Sequence, residues 1–139
     1  MAVKVLINQG GYLVLAIVVL ALTLPFLPTR LLIQPQSITV AGDQVIYDRT
    51  VTVPVTGHWI HEVERITPPP PVAALECSRS GTAHYERRTT PLIYAHDCDL
   101  TGPAGSVWLY RSCVSAQVFS LQLSPACITT TFQPGEPRG

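Results

Sequence analysis

Hydrophobic residues follow two patterns in this chain, and the change comes near Arg30. Before it, the run from Val5 to Thr29 contains no Asp, Glu, Lys or Arg. A helix over residues 5–27 rises ~1.5 Å per residue, which is long enough to cross a hydrocarbon core of about 30 Å. Pro25 and Pro28 end this helix because proline lacks an amide donor. The pattern predicts one membrane-spanning helix that contacts the membrane over residues 5–29.

The same segment also fits a cleavable signal peptide. Lys4 supplies a basic start, and residues 13–22 have the length of a signal peptide's apolar region. The nearest small-residue pattern, Ala21-Leu22-Thr23, would place Pro25 at the second position after the cut, which makes a poor cleavage site. We favour an uncleaved anchor, and both interpretations predict that the rest of the chain is exported.

After Arg30 the chain changes to short alternating or β-branched stretches separated by turn residues. The clearest alternation is Thr50–Thr56, where three valines share one face. Residues 57–66 also fit a helical stripe, but turn signals on both sides favour a strand. Gly81 is expected at the turn of a hairpin. The predicted strands cover residues 37–40, 45–47, 50–56, 57–66, 72–77, 84–88, 107–113, 118–123 and 128–132.

Seven to nine short strands at intervals near ten residues, without a convincing helix among them, predict an all-β domain. We expect a single immunoglobulin-like antiparallel β-sandwich preceded by one N-terminal transmembrane helix, with a small barrel as the alternative. The Cys, Trp and Tyr-x-Cys signature of immunoglobulin domains is absent, so the strand rhythm alone carries this prediction. The expected boundaries are 1–33 for the anchor and stem, 34–133 for the exported sandwich and 134–139 for a flexible tail.

The chain has four cysteines, and all of them follow the predicted anchor. Their spacing contains no C-x-x-C pair, which argues against a zinc knuckle or a thioredoxin-type motif. An even number of cysteines in an exported domain favours disulfides. Of the three possible connectivities we favour Cys77 with Cys98 and Cys113 with Cys127, because each pair closes a loop that contains a plausible turn.

Charge excludes one class of partner. The formal net charge of the 139 residues is zero, and residues 34–139 carry seven arginines against nine carboxylates, or −2. A domain without a basic face is a poor ligand for nucleic acid, so no nucleic-acid partner is expected.

Two short patterns resemble metal sites, and neither is complete. His58-x-x-His61-Glu62 has the wrong order for a zinc protease, and a strand places these histidines on opposite faces. Asp97-x-Asp99-x-Thr101-Gly102 matches the start of a calcium loop but has Trp108 where a bidentate Glu is required. We therefore expect no metal and no cofactor.

No catalytic constellation is found in the sequence either. The chain lacks G-x-S-x-G, and its one lysine, Lys4, precedes the anchor. The protein is therefore not expected to be an enzyme. Contact residues are expected among exposed aromatics near turns and the histidines beside them, namely Trp59, Tyr85, His58 and His61, with Trp108 as a further aromatic candidate.

Several short segments between residues 48 and 100 carry a resemblance. They are Asp48-Arg-Thr, Pro54-Val-Thr-Gly-x-Trp59, Glu62-Val-Glu-Arg65, Cys77-Ser-Arg-Ser-Gly-Thr82, Tyr85 and Cys98-Asp-Leu. Their combination resembles small uncharacterised membrane-anchored proteins encoded by tailed phages and prophages of GC-rich bacteria. The resemblance implies a viral origin and transfers no activity or site.

These observations predict a binding or structural module, anchored in the bacterial inner membrane with its C-terminal domain periplasmic, or carried in a virion. Its expected partners are the membrane and an unknown protein of the envelope or virion. The alternative function is a phage lysis or envelope-disrupting accessory, because a small exported protein with one anchor has that layout.

Overall fold

A computed structural model of the chain describes residues 2–69, 75–87, 91–95 and 98–135, and of residues 2–8, 94 and 95 it describes the backbone alone. The apolar segment forms helix α1, Ala2–Thr23, followed by two 3-10 turns at Leu24–Phe26 and Thr29–Leu31. The window Gln9–Phe26 has a mean hydropathy of 1.9 and is almost entirely exposed. The helix thus has the length and composition of a membrane span or of a signal sequence, and it does not pack along the rest of the protein.

In the described part of the chain, eight strands follow the helix and form two antiparallel sheets. They are β1 Ile33–Ala41, β2 Gln44–Val51, β3 Val55–Thr67, β4 Leu75–Tyr85, β5 Leu92–Ala95, β6 Val107–Val118, β7 Leu121–Gln122 and β8 Ala126–Phe132. The first sheet has the order β1-β2-β5. In the second sheet β3 lies between β4 and β6, and the far edge of β6 pairs with β7 and then with β8.

The core lies between the two sheets and consists of two hydrophobic clusters. The first cluster contains Leu24, Ile33, Val51, Val55, Tyr85, Val114, Ala116, Leu123 and Ala126. The second contains Ile38, Val45, Tyr47, Val63, Cys98, Leu100, Trp108, Tyr110 and Phe132. Each cluster draws residues from both sheets, so the sheets pack face to face, and β1 also lies against β8.

Alternation along β6 shows how the sequence directs this packing. Trp108, Tyr110 and Val114 are buried, whereas Arg111 between them is exposed. Successive side chains of a strand point to opposite faces, so the even-numbered positions face the first sheet. The strand is central in its sheet, because β3 pairs with one edge of β6 and β8 with the other.

The predicted single strand Thr50–Thr56 is wrong. Val51 ends β2 in the first sheet and Val55 begins β3 in the second, so Thr52, Val53 and Pro54 carry the chain from one sheet to the other. The alternation of valines in the sequence continues across this crossing. Val51 and Val55 on either side are buried, but Val53 between them is 54% exposed. Pro54 also fits a strand break, since it cannot donate a ladder hydrogen bond.

The predicted hairpin turn at Gly81 is also wrong, because β4 runs without a break from Leu75 to Tyr85. Gly81 pairs instead with Trp59 of β3, and a Cβ at Gly81 would come within 2.7 Å of the Trp59 ring. The glycine thus makes room for an indole on the neighbouring strand. The prediction that residues 57–66 form a strand is confirmed by β3.

A third difference concerns residues 118–123, which were expected to form one strand. Phe119 and Ser120 have φ angles of 49° and 65° and form the two-residue turn between β6 and β7. Two consecutive positive φ angles are typical of a type I′ hairpin. The turn lacks the usual Asn or Gly, so the sequence gives no signal for it.

Both disulfides have the predicted pairing. Cys77 of β4 is bonded to Cys98, which follows β5, so this bridge connects the two sheets. Cys113 and Cys127 are paired positions of β6 and β8. No free cysteine is found in the described part of the chain.

The segment after helix α1 belongs to the folded domain. Leu24 is 8% exposed, and Thr29 and Ile33 are fully buried. The Ala116 amide donates to the Thr29 hydroxyl at 3.0 Å, and the Thr29 amide donates to the Ser124 carbonyl at 3.0 Å. The expected domain boundary between residues 33 and 34 therefore cuts through packed structure, and the domain begins near Leu24. Of the expected tail, residues 136–139 lie outside the described chain.

The domain has two ends, which we call the anchor end and the far end. The anchor end holds the junction with α1, the β2–β3 crossing and the turn at Phe119 and Ser120. The far end holds the β1–β2 turn at Gly42 and Asp43, the loop that starts with Pro68 and Pro69, and the turn Pro103–Gly105. The strands run between these ends, so the four-proline loop begins on the side opposite to the helix.

Candidate functional site

A polar layer separates the two hydrophobic clusters. It consists of Arg49 on β2, Trp59 and His61 on β3, and Ser112 on β6. On β2 and β6 the inward positions next to the layer belong to the clusters, namely Tyr47 and Val51 beside Arg49, and Tyr110 and Val114 beside Ser112. The strand alternation places these four side chains inside the sandwich. An interior layer of this kind is the first place to look for a functional site.

Arg49 is the unusual residue of this layer. Its guanidinium carbon lies 5.5 Å from the ring centroid of Tyr47 and 5.0 Å from that of Tyr85. The Nε atom is buried and has no hydrogen-bond partner, and Arg49 forms no ion pair within the described residues. Attraction between the cation and the two ring faces compensates for part of the lost hydration. The inward alternation of Val45, Tyr47 and Val51 is the sequence signal that could have identified this arginine.

Trp59 and His61 form an aromatic pair on the inner face of β3. Their ring centroids are 4.6 Å apart, and the His61 ring is 5.7 Å from that of the fully buried Tyr110. Both side chains are half-buried. The contacts hold the two rings against the core, with Gly81 beneath the indole.

The predicted contact residues do not form one exposed surface. Tyr85 is only 7% exposed and belongs to the first cluster, so the expectation that it is exposed is wrong. Trp108, also expected to be exposed, is buried at 5%. His58 lies on the opposite face of β3 from Trp59 and His61, because its position differs from theirs by an odd number of residues. Their role in partner contact stays a hypothesis, and burial places Tyr85 in the core.

Metal chemistry finds no support in the described residues. No group of three or more His, Cys, Asp or Glu side chains is close enough to hold an ion there. Asp97 of the calcium-like pattern lies outside the described residues. Asp99 accepts hydrogen bonds from the Thr101 hydroxyl at 2.6 Å and the Thr101 amide at 3.0 Å. Both hydrogen bonds lower the pKa of the Asp99 carboxyl, and the bond from the Thr101 hydroxyl has the larger effect. Such bonds are typical of an ordinary turn.

The described residues also offer little support for a covalent catalytic mechanism. All four cysteines are in disulfides. Ser112 faces His61 across paired strands, and a serine beside a histidine is the pattern of an activated nucleophile. Ser112 is only 4% exposed, however, so a substrate cannot reach its hydroxyl.

The far end of the domain carries exposed apolar side chains. Ile66 near the end of β3 is 43% exposed, and Leu75 at the start of β4 is 47% exposed. Pro68 and Pro69 lie between them along the chain and are exposed as well. The rest of the proline run, residues 70 and 71, lies outside the described chain. Sequence patterning missed Ile66 and Leu75 because each continues an otherwise ordinary strand.

Three comparisons with known proteins, covering protein-family models, curated proteins and solved structures, found no significant match to this chain.

Proposed function

We propose that this protein is a membrane-anchored, exported β-sandwich that acts by contact, as a binding or structural module. The observation that carries the proposal is the hydrogen-bonded junction between α1 and the domain. The Thr29 hydroxyl accepts from β6, and the Thr52 amide donates to the Leu32 carbonyl at 2.9 Å. A domain tied to its anchor in this way is held in a fixed orientation, with the far end turned away from the helix.

The order of the strands supports an immunoglobulin-like topology. In that fold strands A, B and E share one sheet, and C, F and G share the other. Here β1, β2 and β5 take the places of A, B and E, and β3, β6 and β8 take those of C, F and G. In this assignment β4, beside β3, corresponds to the C′ strand. An immunoglobulin-like sandwich presents loops at both ends, which suits recognition.

Two observations favour an uncleaved anchor over a signal peptide. The weak cleavage pattern Ala21-Leu22-Thr23 lies within the last turn of α1, and the next residue, Leu24, is packed into the domain. Cleavage at any site beyond Leu24 would remove a buried residue from the folded domain. The two disulfides are consistent with an oxidising compartment on the far side of the membrane.

A protein partner at the far end fits the composition of that surface. Exposed Ile66 and Leu75, next to prolines, offer apolar contact, and Arg65 forms an ion pair with Glu76 at 3.3 Å beside them. An apolar centre with a polar rim is typical of protein interfaces. The polar rim carries both signs of charge, so it offers no basic surface for nucleic acid.

Photo-crosslinking in the native membrane tests this proposal. A photoreactive side chain at position 75 is expected to give a discrete protein adduct. The matched control is position 60, because Ile60 is also an exposed apolar residue, at 37%, but lies in the middle of the outer face of β3. Adducts of the same pattern from both positions, or none from position 75, would contradict a far-end interface.

A further inference from the structure

The anchor end of the domain carries a group of exposed apolar side chains that the core does not use. Phe26 is 83% exposed and Phe119 is 85% exposed, more than any other large apolar side chain in the described residues. Leu27, Leu31 and Val53 are exposed at 40%, 57% and 54%. We call these five residues the apolar collar.

Three connections bring the collar together around the start of the domain. The Thr52 hydroxyl donates to the Leu31 carbonyl at 3.0 Å, so Val53 follows a residue bonded to the helix junction. The Ser124 amide donates to the Leu27 carbonyl at 3.1 Å, shortly after the turn that carries Phe119. A groove lined by Leu32, Val53, Pro54, Val118 and Phe119, among others, joins the two turns.

Elsewhere on the domain, exposed large apolar side chains occur singly or, at the far end, as the pair Ile66 and Leu75. Ile60 and Ile93 stand on separate strands, and Ile66 and Leu75 lie at the far end. Single exposed apolar residues are normal on protein surfaces, whereas a contiguous group indicates an interaction site. The collar is also continuous with the candidate membrane span, whose apolar window ends at Phe26.

We propose that the apolar collar docks the anchor end of the domain onto the lipid bilayer that holds α1. The proposal rests on the membrane anchor of the proposed function. Phe and Leu side chains insert into the boundary between headgroups and acyl chains, and binding grows with the apolar area buried there. Phe119 sits at the tip of a two-residue turn, from which it can enter the membrane without disturbing the sheet. Arg30, exposed between Phe26 and Leu31, is placed to meet lipid phosphates.

Docking of the apolar collar also determines the direction in which the far end of the domain points. The junction sets the direction of the domain relative to α1, but a single helix can tilt in the bilayer, whereas a second contact at the turn of Phe119 and Ser120 fixes the direction of the domain relative to the membrane. The far end then points away from the bilayer, with Ile66 and Leu75 accessible to a partner.

Fluorescence quenching by brominated lipid tests the docking in the full-length protein. Phe119→Trp, Leu15→Trp and Gln44→Trp are each reconstituted into phosphatidylcholine vesicles with bromine on the acyl chains, and the signal of native Trp59 and Trp108 is subtracted. Leu15 lies in the candidate span, and Gln44 is an exposed residue of the far end. The added tryptophans at positions 15 and 119 are expected to lose fluorescence, and the one at position 44 to keep it. Val53→Trp tests a second residue of the apolar collar, and the fluorescence of this tryptophan is expected to be quenched too.

The outcomes separate the docking from the anchor. Quenching at position 15 but not at 119 or 53 overturns the docking and leaves the anchor intact. Absence of quenching at position 15 overturns the anchor and the docking with it. If positions 119 and 53 stay bright while Phe119→Ser abolishes a dimer seen in detergent, the collar is an interface between two copies, which also overturns the docking.

Discussion

Residue alternation predicted the faces of these strands better than it predicted their ends. Every second residue from Trp108 to Ala116 of β6 is buried, and on β2 Val45, Tyr47 and Val51 are buried, as the sequence pattern indicates. The favoured pairing of the four cysteines, chosen because each loop contains a plausible turn, is also the pairing observed. Arg49 was missed because an inward charged residue runs against the pattern, and only its contacts with Tyr47 and Tyr85 show how burial is tolerated.

Gly81 is a residue whose role depends on its neighbour and not on its own backbone. In Gly81→Ala the new Cβ meets the Trp59 ring at 2.7 Å, so the indole must shift away from its place beside His61. We expect the free energy of unfolding to fall by about 1–3 kcal/mol, measured by urea denaturation.

The matched control is Gly135→Ala, since a Cβ at Gly135 meets no atom within 4 Å. This variant is expected to keep the parent stability. Equal stability of both variants would show that the indole does not pack on Gly81.

Thr29 provides a second test at this scale. Its hydroxyl is the acceptor for the buried Ala116 amide, and valine has the same shape without the oxygen. Thr29→Val leaves that amide without a partner and is expected to cost ~1–3 kcal/mol of unfolding free energy. Thr39→Val, at an exposed site on β1, is the control and should change stability little. If Thr29→Val leaves the free energy of unfolding unchanged, the hydrogen bond from Ala116 to Thr29 does not stabilise the junction.

Gly, Asp and Pro marked some of the boundaries between elements but not all of them. The β1–β2 turn at Gly42 and Asp43 was expected, and Gly42 has a positive φ of 64°. The turn at Phe119 and Ser120 contains no Gly, Asp or Pro and was not predicted. The crossing at Thr52–Pro54 was hidden because Val51 and Val55 are buried in different sheets. Periodicity reports that a residue is buried, but not which sheet buries it.

The junction between α1 and β1 yields a prediction about where the domain starts. A chain beginning at Gln34 lacks Leu24, Thr29 and Ile33, all of which are buried. Loss of the two apolar side chains alone is expected to cost about 4 kcal/mol or more, a large share of the ~5–15 kcal/mol that stabilises a typical domain. A chain beginning at Leu24 keeps these contacts. Circular dichroism with urea denaturation should show a cooperative transition only for the longer chain.

If the chain from Gln34 unfolds with the same midpoint as the chain from Leu24, the segment 24–33 is a linker and not part of the fold. That result would also weaken the proposal of a fixed orientation, because a loose linker lets the domain turn freely.

At the scale of the whole molecule, the sequence predicted the class of the fold and the change of character near Arg30. It could not predict which loops share an end, because that depends on how strands cross between sheets. The structure places Ile66 and Leu75 opposite to the helix and Phe26 and Phe119 beside it. The separation of these two apolar surfaces is the basis for assigning one to a partner and the other to the membrane.

The central claim is that helix α1 is kept and holds an oxidised domain at the membrane. The most direct test is the intact mass, without reductant, of the protein recovered from the membrane fraction of cells that produce it. We expect a mass that includes all of α1 and is lower by the four hydrogens lost in forming two disulfides. A soluble protein that begins at or after Leu24, or a membrane-bound chain with four free thiols, would contradict the account.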